Sequence, residues 1–273
     1  MGAWPVGTAA VGVTLADAEV AATGDRDATF PWASVTKLLT ALASLVAAEE
    51  GIIEFDEPAG PPGSTVRHLL AHASGLALEG EMPIAPPGAR RIYSNAGFEV
   101  LASVVADRAE MPFADYLRHA VFVPLGLSTS IDGSPASGAK GTLDDLLALG
   151  RELLMPRLVA PETLTEATEV AFPGLVGVLP GFGRMDPNDW GLGFELRDEK
   201  HPHWTGERNS SHTFGHFGQS GSFLWVDPLA GAACACLSDR DFGDWAKETW
   251  PRLSDAVLAE LGGTGAAATG AAV

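Results

Sequence analysis

The chain has 273 residues, of which 46% are hydrophobic, enough to bury a sizeable core. Its 35 acidic against 17 basic residues give a formal charge of −18, which repels phosphate backbones and anionic membrane faces and excludes nucleic acid as an expected partner. No apolar run reaches the ~20 residues a spanning helix needs, and the N-terminus lacks a basic leader. No membrane insertion is therefore expected, and a cytoplasmic location is the default, with export behind a removed signal left open.

In chain order, Ala9 to Leu15 and Glu19 to Thr23 are small or β-branched runs around Ala16-Asp17-Ala18, the pattern of a hairpin. From Val35 the apolar positions Leu38, Leu39, Leu42, Leu45 and Val46 keep helical spacing and stop at Gly51. Residues 56 to 189 carry Pro/Gly clusters between short helical patterns, beginning near Val66, after Asn95, after Pro112 and after Thr142. Thr142 and Asp145 have capping-box spacing with Asp in place of the usual Glu. Strand patterns return at Gly191 to Leu196, His212 to Phe217, Ser222 to Val226 and Ala232 to Leu237, with Asp227 to Gly231 as a turn, and the last three, close in sequence, are expected to be antiparallel. A closing helix is expected over Trp245 to Leu261, and a mobile Gly/Ala-rich tail from Gly262. Cys234 and Cys236 would share one face of a strand, which suits core packing rather than a mutual disulfide.

These patterns predict an α+β fold: an antiparallel sheet flanked by helices, with an inserted mainly helical lobe. The sheet-plus-helix lobe takes residues 1–55 and 190–273, the helical lobe residues 56–189, and an active site is expected at their junction.

Ser34-Val35-Thr36-Lys37 places a hydroxyl and an amine on one helical face. A serine needs a neighbouring base to become a nucleophile, and burial at a helix N-terminus loosens a lysine proton. The same spacing also occurs in ordinary helix starts. Tyr93-Ser94-Asn95 projects a phenol and an amide to one side; a cation could lower the tyrosine and make it a proton relay, or Asn95 could be no more than the N-cap of the next helix. Gly215 to Gly221, containing His216, Gly218 and Gln219, lets a backbone approach a ligand closely and can offer an N–H to an oxyanion.

Taken in order, the three elements resemble those of the penicillin-recognising serine hydrolases: class C β-lactamases, D-alanyl-D-alanine carboxypeptidases and β-lactamase-like esterases. Ser34-x-x-Lys37 resembles the first motif, Tyr93-x-Asn95 the second, and His216-Phe217-Gly218 the third. His68 to Leu76 and Pro124 to Leu127 are similar to linking segments of the same family. The resemblance implies a β-lactamase/transpeptidase-like fold without metal or organic cofactor. It implies acylation of Ser34, proton transfer by Lys37 and Tyr93, orientation of Lys37 or substrate by Asn95, and an oxyanion site at the N–H groups of Ser34 and Gln219, with a small ester or amide as partner.

Two departures matter. β-Lactamases commonly carry a lysine where this chain has His216; an imidazole is mostly neutral near pH 7, so weaker anchoring of anionic substrates and an esterase-like preference are expected. Only 33 residues precede Ser34, and the stretch from Lys37 to Tyr93 is short, which leads us to expect a missing edge element and a cleft with a reduced wall. Of the lesser candidates, Gly218-Gln219-Ser220-Gly221 resembles a chymotrypsin-like nucleophile loop but sits beside a helical lobe foreign to that fold. His201, His203, His212 and His216 form a weak metal pattern. Trp204 and Glu207 are expected near the cleft mouth. A ligand-binding or sensor protein that does not turn substrate over is the reading from a different class.

Overall fold

The computed structural model describes residues 4–268, with side chains through Gly262. Its strands are β1 (Ala9–Leu15), β2 (Glu19–Gly24), β3 (Phe30–Pro31), β4 (Ser130–Ile131), β5 (Ala139–Gly141), β6 (Gly177–Leu179), β7 (Gly183–Met185), β8 (Glu195–Leu196), β9 (Phe214–Gly218), β10 (Ser222–Asp227) and β11 (Ala232–Ser238). Its helices are α1 (Thr36–Glu49), α2 (Val66–Leu70), α3 (Asn95–Ala109), α4 (Phe113–Leu117), α5 (Val123–Leu125), α6 (Leu143–Leu154), α7 (Pro161–Thr168) and α8 (Asp244–Ala268).

The central sheet has the order β2-β1-β11-β10-β9-β8, every pair antiparallel. Side chains alternate between two cores as the strand period requires. Ala10, Leu224, Val226, Ala233, Ala235 and Leu237 join the cluster built with α1 and α6. Val11, Val13, Phe223, Trp225, Cys234 and Cys236 face the other way, onto Trp250 and Ala246 of α8. Strands β9, β10 and β11 are buried along their whole length. The expected antiparallel sheet between helices is thus the architecture found, and both cysteines are free and buried as core residues.

Several boundaries differ from the sequence expectation for physical reasons. The run from Gly191 forms a strand only at Glu195–Leu196. Gly193 sits at φ +90°, where a Cβ would stand 2.2 Å from the Ala41 Cβ, so the chain turns here to clear α1. Helix α3 is capped by Ser94, not Asn95: the Ser94 Oγ accepts from the Gly97 N–H at 2.9 Å. The Thr142–Asp145 capping box is complete, and the shorter Asp suffices because its other oxygen accepts from the Ser128 N–H at 2.8 Å. Short strands β3 to β7 and helix α7 carried no periodicity long enough to reveal them. Helix α8 runs past Gly262 to Ala268; the remainder of the expected mobile tail, 269–273, lies outside the described residues. Among the described residues no helix is long and apolar enough to cross a membrane.

Candidate active site

Ser34 lies in a single 3₁₀ turn, Ala33–Val35, that leads into α1. The turn is fixed from the preceding residue: the Trp32 side chain is fully buried, the Trp32 backbone N–H donates to the Ala139 carbonyl at 2.8 Å, and the Trp32 backbone carbonyl accepts from the Val35 N–H at 3.1 Å and the Ser222 hydroxyl at 2.8 Å. Ala33 is held at φ +43°, in the left-handed region a non-glycine residue avoids, so backbone strain sits directly before the serine. Strand β9 closes against this turn only because residue 218 is glycine. A Cβ there would stand 2.4 Å from the Trp32 carbonyl oxygen and 2.4 Å from the Ser222 Oγ.

Lys37, the second residue of the buried α1, has its Nζ 3.3 Å from the Ser34 Oγ, 2.7 Å from the Asn95 Oδ1 and 3.0 Å from the Ala136 carbonyl. Burial pulls the amine down from its ordinary value to about 7, against a smaller upward pull from Glu79 and Glu99. An amine near neutrality beside a hydroxyl is a competent base at physiological pH. Asn95 is held in turn, its amide donating to the Glu79 carboxylate at 2.7 Å.

Tyr93 sits between the Lys37 amine, 4.7 Å from its ring centroid, and His216, whose Nε2 is 3.4 Å from the phenol oxygen. The sequence expectation of a tyrosine lowered by a cation is reversed: burial pushes the phenol above its usual range, and a hydrogen bond with Ser34 offsets only part of that. A phenol so placed keeps its proton and can give it up only in a step that delivers it to a stronger base. His216 is buried, and its Nδ1 lies 2.6 Å from the Phe217 carbonyl. A carbonyl only accepts, so Nδ1 carries the hydrogen and Nε2 is left as the acceptor for the Tyr93 hydroxyl. Burial and the Lys37 charge drive the imidazole down to about 3, which keeps it neutral.

Ser34, Tyr93, Asn95 and His216 line a cavity of about 290 Å³ together with Gln219, Trp190 and Glu195, and the buried Lys37 reaches Ser34 and Asn95 beneath it. Of the sequence candidates, Ser34, Lys37, Tyr93, Asn95 and His216 converge, Gln219 borders the cavity, and Gly218 serves the approach of β9. Glu195 has no motif to announce it, and His72 lies inside the linking segment His68 to Leu76, which assigns it no role. His72 accepts from the Ser94 N–H at 3.1 Å and packs on Tyr93 with ring centroids 4.7 Å apart, so it holds the Tyr93–Asn95 turn from below. Glu195 receives Lys200, the His203 Nε2 at 2.9 Å and the Trp204 Nε1 at 2.8 Å. Trp204 is therefore buried in this network rather than at a cleft mouth, while Glu207 is exposed. His203 is engaged with Glu195, and His201 and His212 are exposed, so the histidines do not form one set.

Comparison with known proteins gives the family and the fold. The family model described as Beta-lactamase matches residues 2–258. A β-lactamase crystal structure from Mycobacterium bovis is 55% identical, with a TM-score of 0.93, covering 94% of this chain and 96% of that one. The hydrolase EstCE1, with promiscuous acyltransferase activity, shares the fold at 18% identity and a TM-score of 0.77, covering 93% of this chain and 94% of its own. Penicillin-binding protein 4* of Bacillus subtilis is 28% identical over a stretch covering 36% of this chain and only 29% of that relative. With the family model spanning nearly all of the chain, the protein belongs to the β-lactamase family of serine hydrolases.

Proposed function

We propose that the protein is an esterase-type hydrolase that forms an acyl-enzyme on Ser34 with esters of small, uncharged acyl groups. The observation that carries this reading is the contact of the Lys37 amine, brought to about 7, with the Ser34 hydroxyl at 3.3 Å. Lys37 takes the serine proton as Oγ attacks the ester carbonyl. The developing oxyanion meets the backbone N–H groups of Ser34 and Gln219. Tyr93, which keeps its proton, gives it to the departing alkoxide and is reprotonated from Lys37, so the first half-reaction ends with acylated Ser34, a free alcohol and a neutral lysine. A water deprotonated by the same lysine attacks the acyl carbonyl, and the lysine passes that proton to the departing Ser34 oxygen as the acid is released.

Neutral His216 supports esters over β-lactams, because nothing at that position offers a permanent cation to a carboxylate. The second reading, a β-lactamase, is favoured by the 55% identical Mycobacterium bovis structure. A D-amino-acid amidase is the remaining variant of the same chemistry. The deciding experiment compares kcat/KM for a nitrophenyl ester, nitrocefin and a D-amino-acid anilide on one preparation. The ester is expected to lead, and much faster nitrocefin turnover would overturn the esterase reading. Fluorophosphonate labelling followed by mass spectrometry should place one adduct on Ser34 and none on Ser34→Ala; folded protein that takes no label would point to a non-catalytic binder.

A further inference from the structure

Beside the cavity at Ser34 lies a second and larger one of about 650 Å³, and the two share Leu78, Tyr93 and Pro180 as common walls. The larger is a groove between the segment around Leu78 to Tyr93 and the β6–β7 hairpin. Its apolar lining is Leu78, Ile84, Ile92, Val176, Val178 and Pro180. Three of these are unusually open for large apolar side chains, Leu78 at 50%, Ile84 at 57% and Val178 at 59% exposure, so the groove presents a contiguous greasy wall to water.

The walls are built rather than loose. The Leu78 carbonyl accepts from the N–H groups of Asn95 at 2.9 Å and Ala96 at 3.1 Å, which ties this wall to the start of α3. The Ile84 N–H donates to the Gly75 carbonyl at 2.8 Å, and the Arg91 N–H to the Val176 carbonyl at 2.9 Å. The groove holds no carboxylate among its lining residues. Of its three arginines, Arg91 is turned onto the carbonyls of Ala71, Ala171, Phe172 and Asn188, Arg184 pairs with Asp186 at 2.9 Å, and Arg90 is exposed to solvent at the rim.

Resting on the ester-hydrolase reading, we infer that this groove receives the alcohol portion of the substrate, and that the natural substrates are short-acyl esters of long or bulky apolar alcohols. The side is assigned by Tyr93. Its phenol is the proton donor for the departing oxygen, so the group attached to that oxygen leaves from the Tyr93 side, where the groove begins. The acyl group stays with Ser34 and Gln219 in the cavity of about 290 Å³, which sets the acyl part small and the alcohol part large.

The test uses two mirrored series: acetate esters from ethyl to octyl, and nitrophenyl esters from acetyl to octanoyl, each read as kcat/KM. The octyl-to-ethyl ratio in the alcohol series is expected to reach at least about ten-fold, since each buried methylene adds to binding, while the acyl series falls with length. Val178→Asp and Ile84→Asp should bring that ratio within about three-fold of unity; a ratio cancels any general loss from the substitution. A flat alcohol series, an acyl series that rises with length, or a ratio that neither variant changes would overturn the inference while leaving the esterase reading in place. If no ester of either series is turned over and Ser34 takes no fluorophosphonate, both fall together.

Discussion

Lys37 carries two linked consequences of being an amine without water around it. Its proton leaves near pH 7 in the folded chain, so kcat/KM for an ester should rise with pH along a limb of apparent pKa about 7, measured across pH 5.5 to 9 in a constant-ionic-strength buffer. An unfolded lysine holds its proton to the ordinary 10.5. Between those values the unfolded state binds the extra proton, and this group therefore makes the fold more stable as pH rises through the interval. The unfolding free energy of Lys37→Met minus that of the parent should accordingly fall, approaching ~1.4 kcal/mol per pH unit inside the window and levelling below it, as read from urea titrations. Glu79 acts on the same amine from outside. Glu79→Gln keeps an oxygen for the Asn95 amide but removes the charge that raises Lys37, so the activity limb should move to lower pH by on the order of half a unit. An unmoved limb would show that the carboxylate has no electrostatic part.

Strand β9 and the turn before α1 are placed by contact with each other, and residue 218 sets how close they come. Gly218→Ala drives a methyl into the Trp32 carbonyl and the Ser222 hydroxyl, and neither has room to withdraw because the two are bonded to each other. We expect a loss of roughly 1–3 kcal/mol in unfolding free energy and at least about a ten-fold slower labelling of Ser34, because the nucleophile turn is displaced. Normal labelling in the variant would mean that β9 yields instead of the turn. At the start of α3 the chain divides its labour: Ser94 caps the helix, which releases the Asn95 side chain to reach Lys37. The two possible jobs of Asn95 in the sequence, cap or ligand of the lysine, are decided by that neighbour.

Across the molecule, the sheet is enclosed on both faces, and the proposed site sits at its β9 side against α1 and the start of α3. Behind the site, Glu195 is buried with Lys200, His203 and Trp204. Burial alone would push this carboxyl upward, but His203 and Lys200 outweigh it and hold it ionised, below the ordinary carboxylate range. Removing one partner of such a cluster strands the other. Glu195→Gln should cost about 3–5 kcal/mol of stability, and Glu195→Gln combined with Lys200→Met should recover part of it, since both charges are then gone. A double-mutant cycle by chemical denaturation measures the coupling, and purely additive losses would refute it.

Local pattern carried a good part of this protein. The small or β-branched run of Ala9–Leu15, the strand pattern of Ala232–Leu237, the helical spacing after Val35, and the Thr142–Asp145 cap all depend on neighbours within a few residues, and the three chemical motifs were legible because each is a short contiguous string. What lay beyond the sequence comes from contacts between distant segments. Tyr93 is raised rather than lowered because its burial, set by the fold around it, outweighs the hydrogen bond with Ser34. Glu79 and Glu195 join the site from stretches with no signal of their own, His72 joins it from a segment whose resemblance assigns it no role, and Gly193 breaks an expected strand because helix α1 passes beneath it. Periodicity records which face of an element is buried; the partner on the other side, and with it the state of every proton in the site, is fixed only when the chain has closed.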